Sequence, residues 1–306
     1  MSKPILVIGA GKIGQVAADL LAHAPGGGYA VTLADSSKTA LAAAGGDCVV
    51  RTQVLDATDP HALRRALDGC FAVLSAAPYH LTVAVAEAAC TAGTHYLDLT
   101  EDVASTRRIR QLADGAATAF IPQCGLAPGF IGIVAADLAR RFDKLDSVRM
   151  RVGALPAYPS NALNYNLTWS TEGVINEYIE PCEAIVEGRR CEVPALEERE
   201  EFSLDGVLYE AFNTSGGLGT LAETLEGSVR TLNYRTIRYP GHAAIMKALL
   251  NDLRLRERRD LLKDILEHAV PATMQDVVVI FVTVSGWRDG RLLQETYSRK
   301  LYAQPL

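Results

Sequence analysis

The chain has 306 residues, enough for two domains and a substantial hydrophobic core. Hydrophobic residues make up 49% and charged residues 22%, which is ordinary for a globular protein, and the formal charge of −6 argues against a nucleic-acid partner. The longest apolar stretch, residues 277–284, is far too short to cross a bilayer, so we expect no membrane association.

The first fourteen residues predict a nucleotide-binding turn. An apolar run at 5–8 precedes Gly9, Gly11 and Gly14 in G-x-G-x-x-G spacing, and apolar residues at helical period follow. In such a strand–turn–helix unit Gly9 permits the tight turn, Gly11 lets the backbone approach a pyrophosphate, and Gly14 lets the helix lie close to the strand. The helix N-terminus offers free N–H groups to the phosphates. The predicted contacts of this turn are Gly9, Gly11, Lys12, Ile13 and Gly14.

Cofactor choice depends on the acidic residue that ends the second apolar run. Asp35 lies 21 residues after Gly14, where a carboxylate meets the adenosine ribose. A carboxylate suits a 2′-hydroxyl and repels a 2′-phosphate, which favours NAD. Ser36, Ser37 and Lys38 follow and could hold a phosphate if Asp35 turned aside, so NADP stays possible.

Residues 1–125 alternate between apolar runs and segments of helical periodicity. This alternation predicts a doubly wound parallel sheet with right-handed crossovers, that is, a Rossmann domain in an α/β protein. The predicted strands are 5–8, 31–34, 49–55, 72–76, 96–99 and 118–122, and the predicted helices between them are 38–44, 60–67, 81–92 and 103–114.

Doubly wound sheets bind ligands beyond the carboxyl ends of their strands. Tyr79 and His80 follow the fourth strand and are candidates for proton transfer, although His80 could instead cap the helix beside it. Asp98 ends an apolar strand, where an unpaired carboxylate is costly; we prefer it as a base or ammonium partner over a plain strand-end cap. The cofactor-binding candidates at this edge are Ser36, Asp56, Ala76, Ala77 and Pro78.

Two further features of this edge have simpler interpretations. Cys124 follows the sixth strand, and we interpret it as lining the substrate site rather than as a nucleophile, because hydride transfer needs no thiol. Glu101 and Asp102 are expected to cap the next helix rather than to take part in catalysis.

From about residue 126 the strands follow each other without regular crossover helices. This change predicts a second domain over 126–306, an α+β domain with a mixed or antiparallel sheet that binds substrate and supplies a homodimer interface. After a helix starting near Gly129, the predicted strands are 147–155, 164–170, 183–194, 228–238, 276–285 and 292–303, and the predicted helices are 218–226 and 241–268.

The second half contributes an anion-binding pair. Arg238 and His242 flank Pro240-Gly241, a turn before a helix, and an arginine gives the bidentate recognition that a substrate carboxylate requires. An ordinary surface ion pair is the alternative for Arg238. Trp169 and Tyr239 could wall the substrate pocket, although an aromatic residue on a strand is more often core.

Taken together, these residues resemble the saccharopine dehydrogenase family. The first half carries G-A-G-K-I-G, A-A-P-Y-H and C-G-L-A-P-G; the second half carries W-S-T-E-G, S-G-G and R-Y-P-G-H, which resemble the short-chain branch that includes lysine 6-dehydrogenases. The resemblance implies an enzyme that oxidises an amine carbon with a nicotinamide cofactor, or runs the reverse reductive amination. Relatives more often have an acidic residue where this chain has Ala127, so that position supplies no carboxylate here.

The preferred function is therefore oxidative deamination of an amino acid at its terminal amine, like lysine 6-dehydrogenase. The amine must be neutral when hydride leaves, and a free lysine amine has a pKa of about 10.4, so turnover should rise toward alkaline pH. One alternative is reductive condensation of an amine with a carbonyl compound, as in saccharopine- or carboxynorspermidine-forming relatives. It needs more anion sites, for which Arg149, Arg151 and Arg230 are candidates. Another alternative is a non-catalytic NAD-binding sensor or partner-binding protein.

The cysteines and the start of the chain bear on location and metal binding. The six cysteines show no C-x-x-C pair and no metal-ligand spacing, so we expect no metal site and a reducing compartment. The first predicted strand begins within the first five residues and leaves no room for a signal peptide. We therefore expect a cytoplasmic protein.

Overall fold

The computed structural model describes residues 2–44 and 50–304. The chain folds into two compact units, Met1–Gly125 and Leu126–Leu306. This division describes the fold; dinucleotide binding by the first half and substrate binding by the second half remain predictions.

The described part of the first unit forms a six-stranded parallel sheet in the order β3-β2-β1-β4-β5-β6. The order reverses between β1 and β4, as in a Rossmann fold, so the predicted fold class of this half is confirmed. The strands are β1 (Lys3–Ile8), β2 (Tyr29–Asp35), β3 (Arg51–Val54), β4 (Ala72–Ser75), β5 (His95–Asp98) and β6 (Phe120–Ile121). The helices are α1 (Lys12–Ala22), α2 (Lys38–Ala44), α3 (Pro60–Leu67), α4 (Tyr79–Ala92) and α5 (Val103–Ala113).

Small differences from the predicted elements have local causes. The strand predicted at 49–55 is β3, four residues long, and residue 49 lies outside the described residues. The strand predicted at 118–122 pairs only at Tyr96–Phe120 and Leu97–Ile121. The helix predicted from residue 81 begins at Tyr79, directly after Pro78, whose fixed φ suits a helix start.

The described part of the second unit forms a mixed eight-stranded sheet, which confirms the α+β prediction for this half. Its main path is β10-β11-β12-β7-β13-β14, with the β8–β9 hairpin joined to β12. Only β12 and β7 pair in parallel among these strands. The strands are β7 (Lys144–Pro156), β8 (Cys182–Val186), β9 (Arg189–Val193), β10 (Glu200–Leu204), β11 (Val207–Asn213), β12 (Thr231–Arg238), β13 (Asp276–Arg288) and β14 (Arg291–Tyr302).

The helices of the second unit are α6 (Phe130–Ala139), α7 (Thr171–Ile179), α8 (Leu221–Leu225), α9 (His242–Lys247) and α10 (Arg259–Ala269). Three of them, α7, α9 and α10, depart from the sequence prediction. The helix predicted over 241–268 is broken: a π-helical turn (Ala248–Asp252) and a 3₁₀ turn (Leu255–Glu257) separate α9 from α10. The break contains Arg254 at φ 56°, a conformation that no α-helix accommodates.

Two predicted strands of this half are also corrected, and two observed strands were missed. Residues 164–170 are irregular apart from one bridge between Leu167 and Ala272, and Ser170 caps the unpredicted helix α7 by accepting from the Gly173 amide at 3.1 Å. The strand predicted at 183–194 is the β8–β9 hairpin, which turns at Glu187 (φ 49°) and Gly188 (φ 79°). Strands β10 and β11 were not predicted.

The second sheet has two chemically different faces. Alternate residues such as Met150, Leu232 and Val282 pack with α6 in one buried cluster. Their neighbours in sequence lie on the other face, where Asn233 pairs in register with Arg149, and Arg235 with Arg151. Arg235 and Arg238 of β12 are therefore directed to opposite faces.

Candidate nucleotide-binding and catalytic sites

The glycine turn has one open position and two closed ones. A Cβ at Gly9 (φ +108°) would lie 2.6 Å from the Ala76 carbonyl oxygen, and one at Gly14 would lie 1.8 Å from the Gly9 oxygen. A Cβ at Gly11 would meet nothing within 4 Å, and Gly11 is exposed. The backbone at Gly11 is thus free for the close approach of a phosphate.

Helix α1 leaves its N-terminus available for an anion. Gly11 is its N-cap and contributes no side-chain hydrogen bond, and the first turn contains no acidic residue. Lys12 and Ile13 lie exposed in this first turn. The free N–H groups and the positive end of the helix dipole fit the pyrophosphate of a dinucleotide.

Asp35 is fixed against this turn at the end of β2. One carboxylate oxygen accepts a hydrogen bond from the Ala10 amide at 2.7 Å, and the other accepts from the Ser37 amide at 2.8 Å. The carboxylate is therefore tied to the loop that would hold the pyrophosphate, while Ser36, Ser37 and Lys38 are exposed. Asp35 does not turn aside in this structure.

Asp98 is almost completely buried, with 1% of its surface exposed. Its oxygens accept from the Tyr96 hydroxyl at 2.8 Å and from the amides of Thr100 and Gln123 at 2.9 and 3.0 Å. Burial raises the pKa of the Asp98 carboxyl, while these hydrogen bonds limit the rise. Asp98 thus joins the loops after β5 and β6, and these contacts favour a positioning role over the predicted role as base, which stays a prediction.

Other predicted residues of this edge are more accessible. Tyr79 is half-buried and His80 is exposed, with ring centroids 6.0 Å apart, in the first turn of α4. The Cys124 thiol is exposed on the loop after β6; burial of its surroundings and the Asp98 charge raise its pKa, which disfavours a nucleophilic thiolate. The remaining cofactor candidates lie at strand ends: Ala76, Ala77 and Pro78 after β4, and Asp56 after β3.

Asp56 and two other carboxylates differ in what they contact. Asp56 is exposed, and its hydrogen bonds from the Thr58 hydroxyl and amide lower its pKa. Asp102 caps α5 by accepting from the Ser105 amide at 2.7 Å, as expected. Glu101 is half-buried, and burial together with the neighbouring carboxylates raises its pKa, a feature that the sequence alone did not indicate.

The second unit brings Arg238 and His242 together through a tyrosine. The Tyr178 hydroxyl accepts from Arg238 Nε at 2.8 Å and lies 3.0 Å from His242 Nε2. His242 Nδ1 lies 2.8 Å from the Leu163 carbonyl oxygen. The guanidinium of Arg238 lies over the Tyr165 ring, with Cζ 5.1 Å from the ring centroid. Arg238 and His242 are each 1% exposed, so Arg238 is not a surface ion pair.

This buried cluster has unusual electrostatics. Burial alone would lower the pKa of Arg238, but the neighbouring Tyr178, Tyr165 and Glu177 raise it above its usual value. Burial and the nearby Arg238 charge lower the pKa of His242 to about 3, so its imidazole is neutral at physiological pH. The cluster therefore combines a permanent cation with a neutral imidazole.

The two aromatic residues predicted to line the substrate pocket, Trp169 and Tyr239, pack in different clusters. Trp169 lies against Gly173, where a Cβ would be 2.4 Å from the indole ring, and it packs with the cluster that contains Tyr178. Tyr239 belongs to a different cluster: it stacks on Tyr209 and donates to the Pro156 carbonyl at 2.9 Å. Tyr239 is therefore not brought together with Arg238.

A buried carboxylate that sequence reasoning missed fixes the turn after β12. Glu210, 1% exposed, accepts from the Gly241 amide at 3.1 Å and from the Ala243 amide at 2.7 Å. It lies opposite Arg238 in the β11–β12 register. Because strand β11 was not predicted, no sequence pattern indicated a role for Glu210.

The described residues contain no group of three or more His, Cys, Asp or Glu side chains suited to a metal ion. No helix in the described part of the chain is both long and apolar enough for a membrane span.

The fold and the glycine turn define a Rossmann domain with an open dinucleotide-binding turn, and the matching family models define the class as an NAD(P)-dependent dehydrogenase. The model of the saccharopine dehydrogenase NADP-binding domain matches residues 5–120, and that of the saccharopine dehydrogenase C-terminal domain matches residues 125–303. The chain belongs to the saccharopine dehydrogenase family, as its motifs predicted.

Comparison with solved structures agrees on the fold. The apo histidine-tagged saccharopine dehydrogenase (L-Glu forming) from Saccharomyces cerevisiae is similar over 98% of this chain and 86% of that chain, with 20% identity and a TM-score of 0.78. An apo scyllo-inositol dehydrogenase from Lactobacillus casei matches 96% of this chain and 75% of that chain, with 11% identity and a TM-score of 0.49. At 20% identity, the likeness to the yeast enzyme shows a shared fold and nothing further.

Proposed function

We propose that the protein oxidises the CH–NH group of an amino acid with NAD, with an activity most like that of lysine 6-dehydrogenase. The observation that carries this proposal is the match of both family models, one to each half of the chain. Bound nicotinamide would supply the hydride acceptor, so the protein's own task is to orient the substrate and handle its proton.

NAD is the proposed cofactor because of how Asp35 is held. The hydrogen bonds from the Ala10 and Ser37 amides fix both carboxylate oxygens beside the glycine turn. A carboxylate fixed there accepts from a ribose 2′-hydroxyl and repels a 2′-phosphate. Use of NADP would require breaking the Ala10 contact, which makes NADP the weaker substrate in this proposal.

The proposed proton carriers are Tyr79 and His80, which are accessible at the start of α4. The amine must lose its proton before hydride can leave, since an ammonium has no lone pair to stabilise the developing iminium. In this proposal Asp98 positions the loops around the site, because three donors already occupy its carboxylate.

For the substrate carboxylate we propose the cluster of Arg238, His242 and Tyr178. Arg238 supplies a cation that stays charged at every working pH, and the Tyr178 hydroxyl holds the guanidinium in place. Trp169 packs against the same cluster. Arg238→Ala is expected to raise KM for the amino acid far more than KM for NAD, and Arg238→Lys should keep part of the affinity. Equal effects on both KM values would remove Arg238 from the substrate site.

Reductive condensation is less well supported, because two of its candidate anion sites are already paired. Arg151 binds Glu200 through two nitrogens at 2.6 and 3.2 Å, and Arg230 binds Asp146 at 2.8 and 3.2 Å. Neither guanidinium is free for a second anionic substrate.

A spectrophotometric screen tests the proposal. Lysine, ornithine, saccharopine and polyamines are each offered with NAD and with NADP, and reduced nicotinamide is followed. The proposal expects lysine with NAD to give the highest kcat/KM. Dinucleotide binding without turnover on any amine would favour a sensor or partner-binding protein instead, and the predicted homodimer and cytoplasmic location need separate measurements.

A further inference from the structure

A pocket of about 240 Å³ lies in the second unit where β8 is joined to β12 by the single residue pair Leu232–Ile185. Its volume corresponds to roughly eight waters at about 30 Å³ each, which is room for a molecule of one amino acid's size. Its walls combine apolar residues of β8 with charged residues, Arg149, Arg235 and Glu198.

The first charged wall is Arg149, which is exposed and makes no hydrogen bond or ion pair with any described residue. Its charge does help to lower the pKa of Asp146, but the Asp146 carboxylate is itself bound by Arg230. Arg149 lies beside Asn233 in the β7–β12 register, so the two side chains share one face of the sheet.

The second charged wall is Arg235, whose side chain is 12% exposed. Nη2 pairs with Glu198 at 2.8 Å and Nη1 with Glu200 at 3.1 Å. Nε is completely buried, and no described residue accepts its hydrogen bond. A buried N–H without an acceptor costs free energy and calls for a partner that the chain does not supply.

The charges of the residues that line the pocket favour an anionic ligand. The lining contains two guanidiniums and one carboxylate, Glu198. Both Nη atoms of Arg235 are already paired, with Glu198 and with Glu200, and Glu200 is also bound by Arg151, so Arg149 supplies the unpaired positive charge. The excess is positive, and planar guanidinium groups bind carboxylates through two parallel hydrogen bonds. Among the apolar residues of the β8 wall, the exposed side chain of Val186 offers contact area for a short carbon chain.

We propose that this pocket is a binding site for a small organic carboxylate, which would accept hydrogen bonds from Arg149 and, after a shift of the Arg235 side chain that exposes it, from the unpartnered Arg235 Nε. Asn233 and Thr231 supply further polar groups on the same face. The site is separate from the proposed substrate cluster, because Arg235 and Arg238 alternate along β12 and face opposite sides of the sheet. The binding site stands or falls without the proposed dehydrogenase activity.

Isothermal titration calorimetry on the full chain tests the site with three probes: glutarate, L-glutamate and inorganic phosphate. Binding of glutarate or glutamate is expected, and Arg149→Gln should weaken it about tenfold or more while the melting temperature stays unchanged. The matched control is Arg291→Gln, which removes the same charge from an exposed hairpin position outside the pocket.

The three probes separate the outcomes. Tighter binding of glutamate than of glutarate would add a contact between its ammonium and Glu198 to the proposed site. Binding of phosphate alone, no binding of any probe, or equal binding by wild type and Arg149→Gln would each overturn the proposal.

Discussion

The carboxylate of Asp35 accepts a hydrogen bond from the Ala10 backbone amide at 2.7 Å. This contact joins the acidic end of β2 to the glycine turn and fixes the carboxylate where the adenosine ribose of a dinucleotide would lie. The proposed preference for NAD therefore depends on the backbone of the turn as much as on the Asp35 side chain.

Replacement of Asp35 by serine should change cofactor preference. Asp35→Ser removes the acceptor of the ribose hydroxyl and the repulsion of a 2′-phosphate, so kcat/KM for NAD should fall about tenfold or more and that for NADP should rise. Steady-state kinetics with both cofactors measure the change. A wild-type enzyme that already prefers NADP would contradict the interpretation of Asp35.

Two glycines of the turn should respond in opposite ways to alanine. Gly11→Ala places its Cβ in open space, so the protein should keep its melting temperature but bind NAD about tenfold or more weakly. Gly14→Ala places a Cβ 1.8 Å from the Gly9 oxygen, so it should destabilise the first unit. Thermal melts and NAD titrations of both variants decide; full NAD affinity in folded Gly11→Ala would show that the pyrophosphate does not approach this residue.

In the first unit the sequence predicts local motifs well and long-range contacts poorly. The glycine turn, Asp35 and the alternating strands are local patterns, in which spacing within 30 or so residues determines the geometry. The role of Asp98 is not local in this sense: its partner Gln123 is 25 residues away, on a loop whose register no pattern reveals. The sequence located Asp98 at the sheet edge but not the contacts that occupy it.

In the second unit the sequence predicts fewer of the contacts that form the candidate site. Arg238 was located by its neighbours Pro240 and Gly241, but its partner Tyr178 lies 60 residues earlier, on a helix that was not predicted. The same holds for Glu210, whose strand was missed. The long helix predicted at 241–268 failed because its apolar period continues through a segment where Arg254 takes a left-handed conformation.

A pair of tyrosines provides a matched test of the buried cluster. The Tyr178 hydroxyl bridges Arg238 and His242, whereas the Tyr165 hydroxyl is buried without a hydrogen-bond partner among the described residues. Tyr178→Phe should therefore lower the free energy of unfolding by about 1–3 kcal/mol, and Tyr165→Phe should change it little or raise it. Denaturant unfolding of both variants measures the difference, and equal changes in the free energy of unfolding would mean that the Tyr178 hydroxyl bridge stabilises the cluster no more than the unpartnered Tyr165 hydroxyl does.

The same pair tests the substrate role. If the cluster binds the substrate carboxylate, Tyr178→Phe should raise KM for the amino acid with little change in KM for NAD, because Arg238 loses the hydroxyl that holds its guanidinium.

His242 should make the fold sensitive to acid. Its pKa is about 3 in the folded protein and 6.5 when unperturbed, so between these values the unfolded chain binds a proton that the folded chain does not. The contribution of His242 to the free energy of unfolding is therefore expected to be constant well above pH 6.5 and to fall as the pH decreases below it, by at most about 1.4 kcal/mol per pH unit.

Replacement of the histidine isolates this effect. His242→Gln should flatten the decline in unfolding free energy below pH 6.5, whereas His268→Gln, at an exposed position of α10, should leave the slope unchanged. Denaturant melts between pH 7 and pH 5 measure both slopes. Identical slopes in wild type and His242→Gln would show that the imidazole is not kept neutral by burial.

The most direct test of the central claim is the rate of NAD reduction by lysine, followed with ammonia release at neutral and at alkaline pH. We expect reduced nicotinamide and ammonia in equal amounts and a rate that rises toward alkaline pH, because the substrate amine must be neutral when hydride leaves. Reduced nicotinamide without ammonia, or no reduction of NAD by any amine or amino acid offered, would contradict it.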